Sequence, residues 1–258
     1  MMQIKQRKQH KENQIRDLNP FTHGLLTLFF ILGALFFDWR FVIVEVIIIF
    51  ILASISDVFG KFFKTWLKSA FVLTLVVSLL QMFLLPGDEV VFRLGFLTVM
   101  DAALAQAINI ASQIMGIFTP LIYFLQVVNI EDFVTMMQQS GVSPTVTYIV
   151  TAALNMIPQM RDRLRQITDA QKSRGVETEG NLITRMKAFF PIIGPVVLSS
   201  IADVEEKSIT LEVRGFSKEG KKTIMHEVPD TDRDKILRKL IWFLIIVLVI
   251  VRVVTWFL

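Results

Sequence analysis

The chain has 258 residues, of which 53% are apolar and only 19% charged, with 22 phenylalanines and no cysteine. Hydrophobicity at that level excludes disordered and collagen-like chains, and the missing cysteine excludes disulfide scaffolds, thiolate catalysis, iron–sulfur clusters and cysteine zinc sites. What remains is an integral membrane protein with a polar portion large enough to fold outside the bilayer.

The charges are distributed in blocks. Residues 1–17 carry five basic groups (Lys5, Arg7, Lys8, Lys11 and Arg16) against two acids, and residues 21–143 carry only five more basic groups. Residues 158–239 then hold 16 basic and 13 acidic side chains. A net charge of +4 arranged in this way suits the basic cytoplasmic loops of a membrane protein better than a nucleic-acid surface.

The first apolar run follows the basic stretch as the h-region of a signal peptide would, but no small-x-small cleavage site closes it. It ends at Phe36-Phe37-Asp38-Trp39 and a second apolar run begins at once. Residues 21–37 are therefore read as a retained first span, 41–55 as the second and 66–85 as the third, each near the length that crosses ~30 Å of hydrocarbon. Residues 96–125 form a longer fourth span containing Asp101, Gln106, Asn109 and Gln113, polar groups that must face protein or water because lipid cannot satisfy them. The fifth is 240–258, with Arg252 near enough to one end to snorkel. Lys61, Lys64 and Lys68 between spans two and three, with the basic N-terminus, place those segments inside; Arg40 and Arg93 are the only basic groups in the opposite loops. Five spans then leave the C-terminus outside. The expected organisation is a cytoplasmic segment 1–20, a four-helix membrane region 21–129, a cytoplasmic helical region 130–239 and a final membrane helix 240–258. The fold class is all-α.

The polar region carries an internal echo. A helix-compatible stretch opens at Ser143-Pro144, is interrupted only by Pro158, and ends at Arg174-Gly175. A second stretch runs from the apolar Phe189-Phe190-Pro191 through the charged Asp203-Val204-Glu205-Glu206-Lys207 to Arg214-Gly215-Phe216. The two Arg-Gly pairs lie 40 residues apart, and glycine stands where a left-handed C-cap would sit. Two long helices are expected, each starting against the membrane and each finishing in a cationic tip. Arginine in a last helical turn also suits the helix dipole. Two such tips together call for acidic partner surfaces, because the guanidinium fork matches carboxylates.

Other motifs fail. Gly215 to Lys222 approaches a phosphate loop, but Lys222 stands where Ser or Thr would hold Mg²⁺, and no apolar strand precedes it. The chain is therefore expected to bind no cofactor, leaving any ATP hydrolysis to partner subunits. His10, His23 and His226 are scattered and make no metal site. No Gly-x-Ser-x-Gly elbow is present. Asp101 could relay protons; a solvated or hydrogen-bonded place near the outer end of span four is the simpler reading. Gln138-Gln139-Ser140-Gly141 reads as a polar turn.

On these residues the chain resembles the transmembrane T component of energy-coupling factor (ECF) uptake transporters. Asn19-Pro20-Phe21-Thr22-His23-Gly24-Leu25 resembles that family's P-x-[ST]-K-L opening of span one, with His23 in place of lysine. Gly141-Val-Ser-Pro144 to Asn155-Met-Ile-Pro158 resembles a second family segment, with Asn155 where arginine is frequent. Ala170-Gln-Lys-Ser-Arg174-Gly175 is similar to the first A-x-x-x-R-G signature, and Ala202-Asp203 to Val213-Arg214-Gly215-Phe216 to the second, with Val213 in place of alanine. The resemblance covers essentially the whole chain. It implies a multi-pass bacterial membrane scaffold, not an enzyme, that couples two ABC-type ATPase subunits to a membrane-embedded S component for uptake of a vitamin or other micronutrient. Ala170, Arg174, Gly175, Arg214, Gly215 and Phe216 would then form the ATPase-coupling tips. A self-sufficient secondary transporter and a membrane-embedded enzyme are the alternatives; the first needs midplane charges in inverted repeats, the second clustered acid/base or metal residues.

Overall fold

The computed structural model describes residues 18–84, 90–94, 97–216, 218 and 228–257. Helices dominate them. Helix α1 (Pro20–Phe36) begins where Asn19 Oδ1 accepts the Phe21 amide at 3.0 Å, with proline in the first turn, where its missing N–H costs nothing. Helix α2 (Trp39–Ile55) follows after a two-residue break and stops at Asp57, whose φ of 56° turns the chain. Helices α3 (Phe59–Trp66) and α4 (Val72–Leu84) are joined by one π-helical turn, Leu67–Phe71. A short antiparallel hairpin, β1 (Val90–Leu94) and β2 (Leu97–Met100), leads into α5 (Asp101–Val127). Then come α6 (Ile130–Gln139), α7 (Pro144–Ser173), α8 (Leu182–Val213) and α9 (Asp232–Phe257).

The chain divides into two compact units, residues 1–136 with 227–258, and residues 137–226. In the first, α5 is the central helix, against which α1, α2, α3 and α4 all pack. Phe30, Ile49, Ala53, Val58, Phe62, Ala70, Ile122, Tyr123 and Val127 form its core. Phe50 gathers the rings of Phe59, Phe62, Phe63 and Trp66 edge-on around it. Two polar pairs cross between helices inside this packing: the Trp66 indole donates to Thr119 Oγ1 at 3.0 Å, and Ser56 Oγ lies 3.0 Å from the Tyr123 hydroxyl. Gly116 permits the closest approach, since a Cβ there would stand 2.3 Å from that of Ala34.

The outward faces are apolar. Ile43, Val44, Ile47, Ile48 and Ile51 on α2, Leu75, Val76, Leu79 and Leu80 on α4, and Phe243, Ile246 and Ile250 on α9 are all exposed. Apolar surface of this extent marks contact with lipid or with another apolar protein surface. Phe59–Met82, Ala103–Val127 and Leu182–Val213 are each long and apolar enough to cross a membrane by length and composition, while Pro20–Phe36 is apolar but shorter.

Several boundaries differ from expectation. The third helical rod begins at Phe59, because α3 continues through the π turn into α4. The fourth span opens at Asp101, with 97–100 in the hairpin, where Thr98 and Val99 favour extended backbone. Pro158 does not interrupt α7, nor do Pro191 and Pro195 interrupt α8; each removes one amide donor while the helix runs on.

Candidate functional site

The second unit is an antiparallel helix pair. Gln171 Nε2 donates to the Pro191 carbonyl, Arg163 Nη1 sits 2.5 Å from Asp203 Oδ2 and 3.4 Å from Ser199 Oγ, Lys207 Nζ reaches Gln159 Oε1, and the Tyr148 and Phe216 rings meet at 5.0 Å. Each step toward the C-terminus of α7 is matched by a step toward the N-terminus of α8. The two tips therefore lie at opposite ends of the pair.

The tips share one backbone motif. At the first, Gly175 has φ +85°, its amide bonds to the Lys172 carbonyl at 3.0 Å, and the Val176 amide reaches back to Gln171 O at 3.0 Å. At the second, Gly215 has φ +71°, its amide bonds to Glu212 O at 2.9 Å, and the Phe216 amide reaches Leu211 O at 2.9 Å. A β-carbon would strain that left-handed turn, which is why glycine follows each arginine. Arg174 and Arg214 occupy the C-cap positions and both are exposed. Among the described residues neither guanidinium has an ion-pair partner. Each therefore presents an exposed guanidinium fork at a helix end.

The remaining predicted residues stand around these turns. Ala170 is exposed one turn before Arg174. Phe216 is half-buried against Tyr148 and so closes the second tip onto the start of α7. The loop after the first tip is braced by Lys172 Nζ on Glu179 Oε1 at 2.9 Å; the hydrogen bond and the lysine charge hold that carboxyl below its usual range. Gly215, the first glycine of the near-miss phosphate loop, is thus used as a helix cap, and Gly220, Lys221 and Lys222 lie outside the described residues. His10 and His226 also lie outside them; among the described residues no cluster of His, Asp or Glu is placed to hold a metal. Asp101 is the first residue of α5. The polar turn is shorter than expected: Gln138 and Gln139 end α6, and Ser140 and Gly141, the latter with φ +97°, make the turn.

Two acids that the sequence did not single out emerge from the packing. Glu45, 1% exposed, faces Gly116 in the interior of the first unit, and its two carboxyl oxygens have no hydrogen-bond partner among the described residues. Asp234, also 1% exposed, lies ahead of the apolar run of α9. Its Oδ1 accepts the Asn19 amide at 2.9 Å and the Thr22 hydroxyl at 3.1 Å; its Oδ2 accepts the Thr231 hydroxyl at 2.5 Å and, at 3.3 Å, the Thr231 amide. Burial favours its neutral form, but the hydrogen bonds from Thr231, Asn19 and Thr22 outweigh that and hold the carboxyl below the usual aspartate range. Thr22, in the span-one motif, was legible as a motif residue and not as a ligand of Asp234.

The sequence matches the family described as CbiQ, cobalt transport protein, over residues 11–225. It is similar to proteins called energy-coupling factor transporter transmembrane protein EcfT. With that of Leuconostoc gelidum subsp. gasicomitatum it is 26% identical over 249 residues, covering 92% of each chain. With that of Streptococcus equi subsp. equi it is 28% identical over 179 residues, covering 64% of this chain and 65% of the relative. With that of Staphylococcus aureus it is 35% identical over 108 residues, or 42% and 40% of the two chains. The last two matches thus span less than two thirds of those relatives' length. With most of its length matched and its helices carrying exposed apolar faces, the chain belongs to the CbiQ family, the transmembrane energy-coupling T components of ECF transporters, which are transporter subunits of the cell membrane and not enzymes.

Proposed function

We propose that Arg174 and Arg214 seat in the grooves of two cytoplasmic ABC-type ATPase subunits, one tip in each. The observation that carries this reading is the repetition of one Arg-Gly cap at opposite ends of an antiparallel helix pair. At 1.5 Å per residue, the 30 residues of α7 extend ~45 Å, too far for both tips to enter one groove. ATP-driven closure of the ATPases moves the helix pair, and the membrane spans carry that movement to an S component that captures a vitamin or other micronutrient. The S component sets the substrate. The chain itself binds no nucleotide: Gly215 serves as a cap and Lys222 stands where a magnesium-binding hydroxyl is needed.

The N-terminus is cytoplasmic and the C-terminus external. Two observations support this. Lys61, Lys64 and Lys68 lie in the first three turns of the third helical rod, which opens just after the turn at Asp57, and α1 and α9 begin side by side at the Asn19–Asp234 contact and run parallel through Leu25, Ile241 and Ile245. The charged ends of α8, with Arg185 and Lys187 on one side and Asp203 to Lys207 on the other, keep the second unit on the cytoplasmic side despite its apolar middle. Affinity purification from native membranes tests the reading. Two ATPases and a small hydrophobic subunit are expected to accompany the chain, and ATP-dependent uptake is expected only from the complete assembly. A chain that purifies alone and transports alone is a secondary transporter, which overturns it.

A further inference from the structure

In the bilayer, apolar contact between helices has no advantage over contact with lipid tails, so helices are located by close packing and polar groups. This bears on α9. Among the described elements it packs mainly on α1, through Leu25, Ile241 and Ile245, while Leu240, Trp242, Phe243, Leu244, Ile246 and Val247 are exposed. The polar contacts sit at one end. Thr231 and Asp234 cap α9 reciprocally, the Asp234 amide donating to Thr231 Oγ1 at 3.3 Å, and the same carboxylate accepts the Asn19 amide and the Thr22 hydroxyl at the start of α1. One buried anion thus bridges two helix N-termini, where both dipoles are positive. One turn on, Arg238 holds Asp230 through both carboxylate oxygens at 2.5 and 2.6 Å, and its guanidinium stands 5.8 Å from the centre of the Phe21 ring.

We propose that Asp234 is a positioning residue for energy coupling: by clasping the start of α9 to the start of α1, it makes the first and last spans move together. The inference rests on the reading of 137–226 as the coupling unit. In that reading the chain leaves the Arg214 tip and next enters the membrane through α9. Unclasped, α9 follows that movement alone, sliding against lipid that offers no restoring force. Clasped, it delivers the movement to α1, and through α1 to the central helix α5.

The test uses the chain's lack of cysteine. Leu25→Cys and Ile241→Cys are introduced together, and their cross-linking in membranes reports the α1–α9 pairing. Asp234→Ala is expected to lower cross-linking and, in the reconstituted complete transporter, to leave ATP hydrolysis running while substrate moved per ATP falls about tenfold, the scale of losing a buried cap and its cross-helix hydrogen bonds. Asp234→Asn, which keeps an oxygen for Asn19 and Thr22, is expected to fall between. Locking the pair by the cross-link is expected to restore coupling in the Asp234→Ala background, which a general loss of stability would not allow. If Asp234→Ala does not accumulate, Thr22→Val removes a single donor and is read in the same way. Unchanged cross-linking in Asp234→Ala overturns the proposal, as does lost cross-linking with unchanged transport per ATP. A wild-type chain that purifies without ATPases overturns the reading beneath it, and cross-linking still decides whether the clasp locates α9.

Discussion

Tyr148, in the first turns of α7, and Phe216, just past the end of α8, meet with ring centroids 5.0 Å apart and planes tilted at 52°. The contact joins residues 68 positions apart and ties the second Arg-Gly cap to the beginning of the helix that ends in the first. An aromatic pair of this kind is worth about 0.5–1.5 kcal/mol beyond its area. Tyr148→Ala is expected to raise hydrogen exchange at the Gly215 and Phe216 amides by about two- to tenfold. The Gly175 amide should not change. Equal acceleration at both glycines would mean that the ring pair stabilises the whole unit and not the second tip.

Replacing Arg174 or Arg214 with alanine is expected to leave the membrane fold intact, because both side chains are exposed at helix ends. The loss should appear in the complex. An interfacial arginine paired with partner carboxylates costs roughly 2 kcal/mol or more on truncation, about thirtyfold in affinity. One substitution leaves the other tip engaged, so the complex stays assembled while hydrolysis uncouples from uptake. The double variant should abolish uptake, and lysine should rescue only in part. Wild-type uptake by the double alanine variant, at normal membrane levels, would refute the assignment of the tips.

The parallel starts of α1 and α9 make a topological prediction. A cysteine appended after Leu258 should react with a membrane-impermeant thiol reagent in intact cells. Labelling that requires lysis would place the C-terminus inside and reverse the orientation.

Asp234 makes stability depend on pH in a stated direction. Its folded-state carboxyl is held below the ordinary aspartate value of about 3.9, so its hydrogen bonds stabilise the fold fully above that value. The contribution is lost as pH falls through the lowered folded value. Thermal unfolding of the purified chain between pH 6 and pH 3, treated as about the window in which an aspartate titrates, should show a smaller acid-side decline in Asp234→Asn than in wild type. Identical slopes would exclude Asp234 as the linked group.

Gly116 should tolerate no side chain. A Cβ there meets that of Ala34 at 2.3 Å and Val42 at 3.3 Å, both on packed helices with little room to yield. Gly116→Ala is expected to destabilise the chain by about 1–3 kcal/mol through overpacking, read as a lower unfolding temperature in detergent. Ala34→Gly in the same background should recover part of the loss.

Much of this protein is written in short-range signals. Hydropathy over some twenty residues marks where a chain prefers lipid, and the helices at Pro20–Phe36, Trp39–Ile55 and Ala103–Val127 fall where the apolar runs lie. The caps are local too. An arginine followed by glycine at the end of a polar helix needs nothing beyond its own last turn to form the left-handed bond pattern seen at both tips. The family resemblance was legible for the same reason, since its motifs are runs of a few residues.

Pairing was not legible. That α7 and α8 run antiparallel, and so carry their tips apart, depends on Arg163 meeting Asp203 and Tyr148 meeting Phe216, contacts between positions 40 and 68 residues apart that no local pattern specifies. Asp234 reads as one more charge in an acidic and basic stretch until folding brings Asn19 and Thr22, more than 200 positions earlier, onto its oxygens. Glu45 sits in an apolar run whose other polar-facing positions would have served equally well for solvent or lipid, and its burial against Gly116 follows from where α5 passes. Propensity and hydropathy act within a helix or a span. Which faces meet is decided by the shapes and donors of surfaces from distant parts of the chain, and only the assembled packing brings them together.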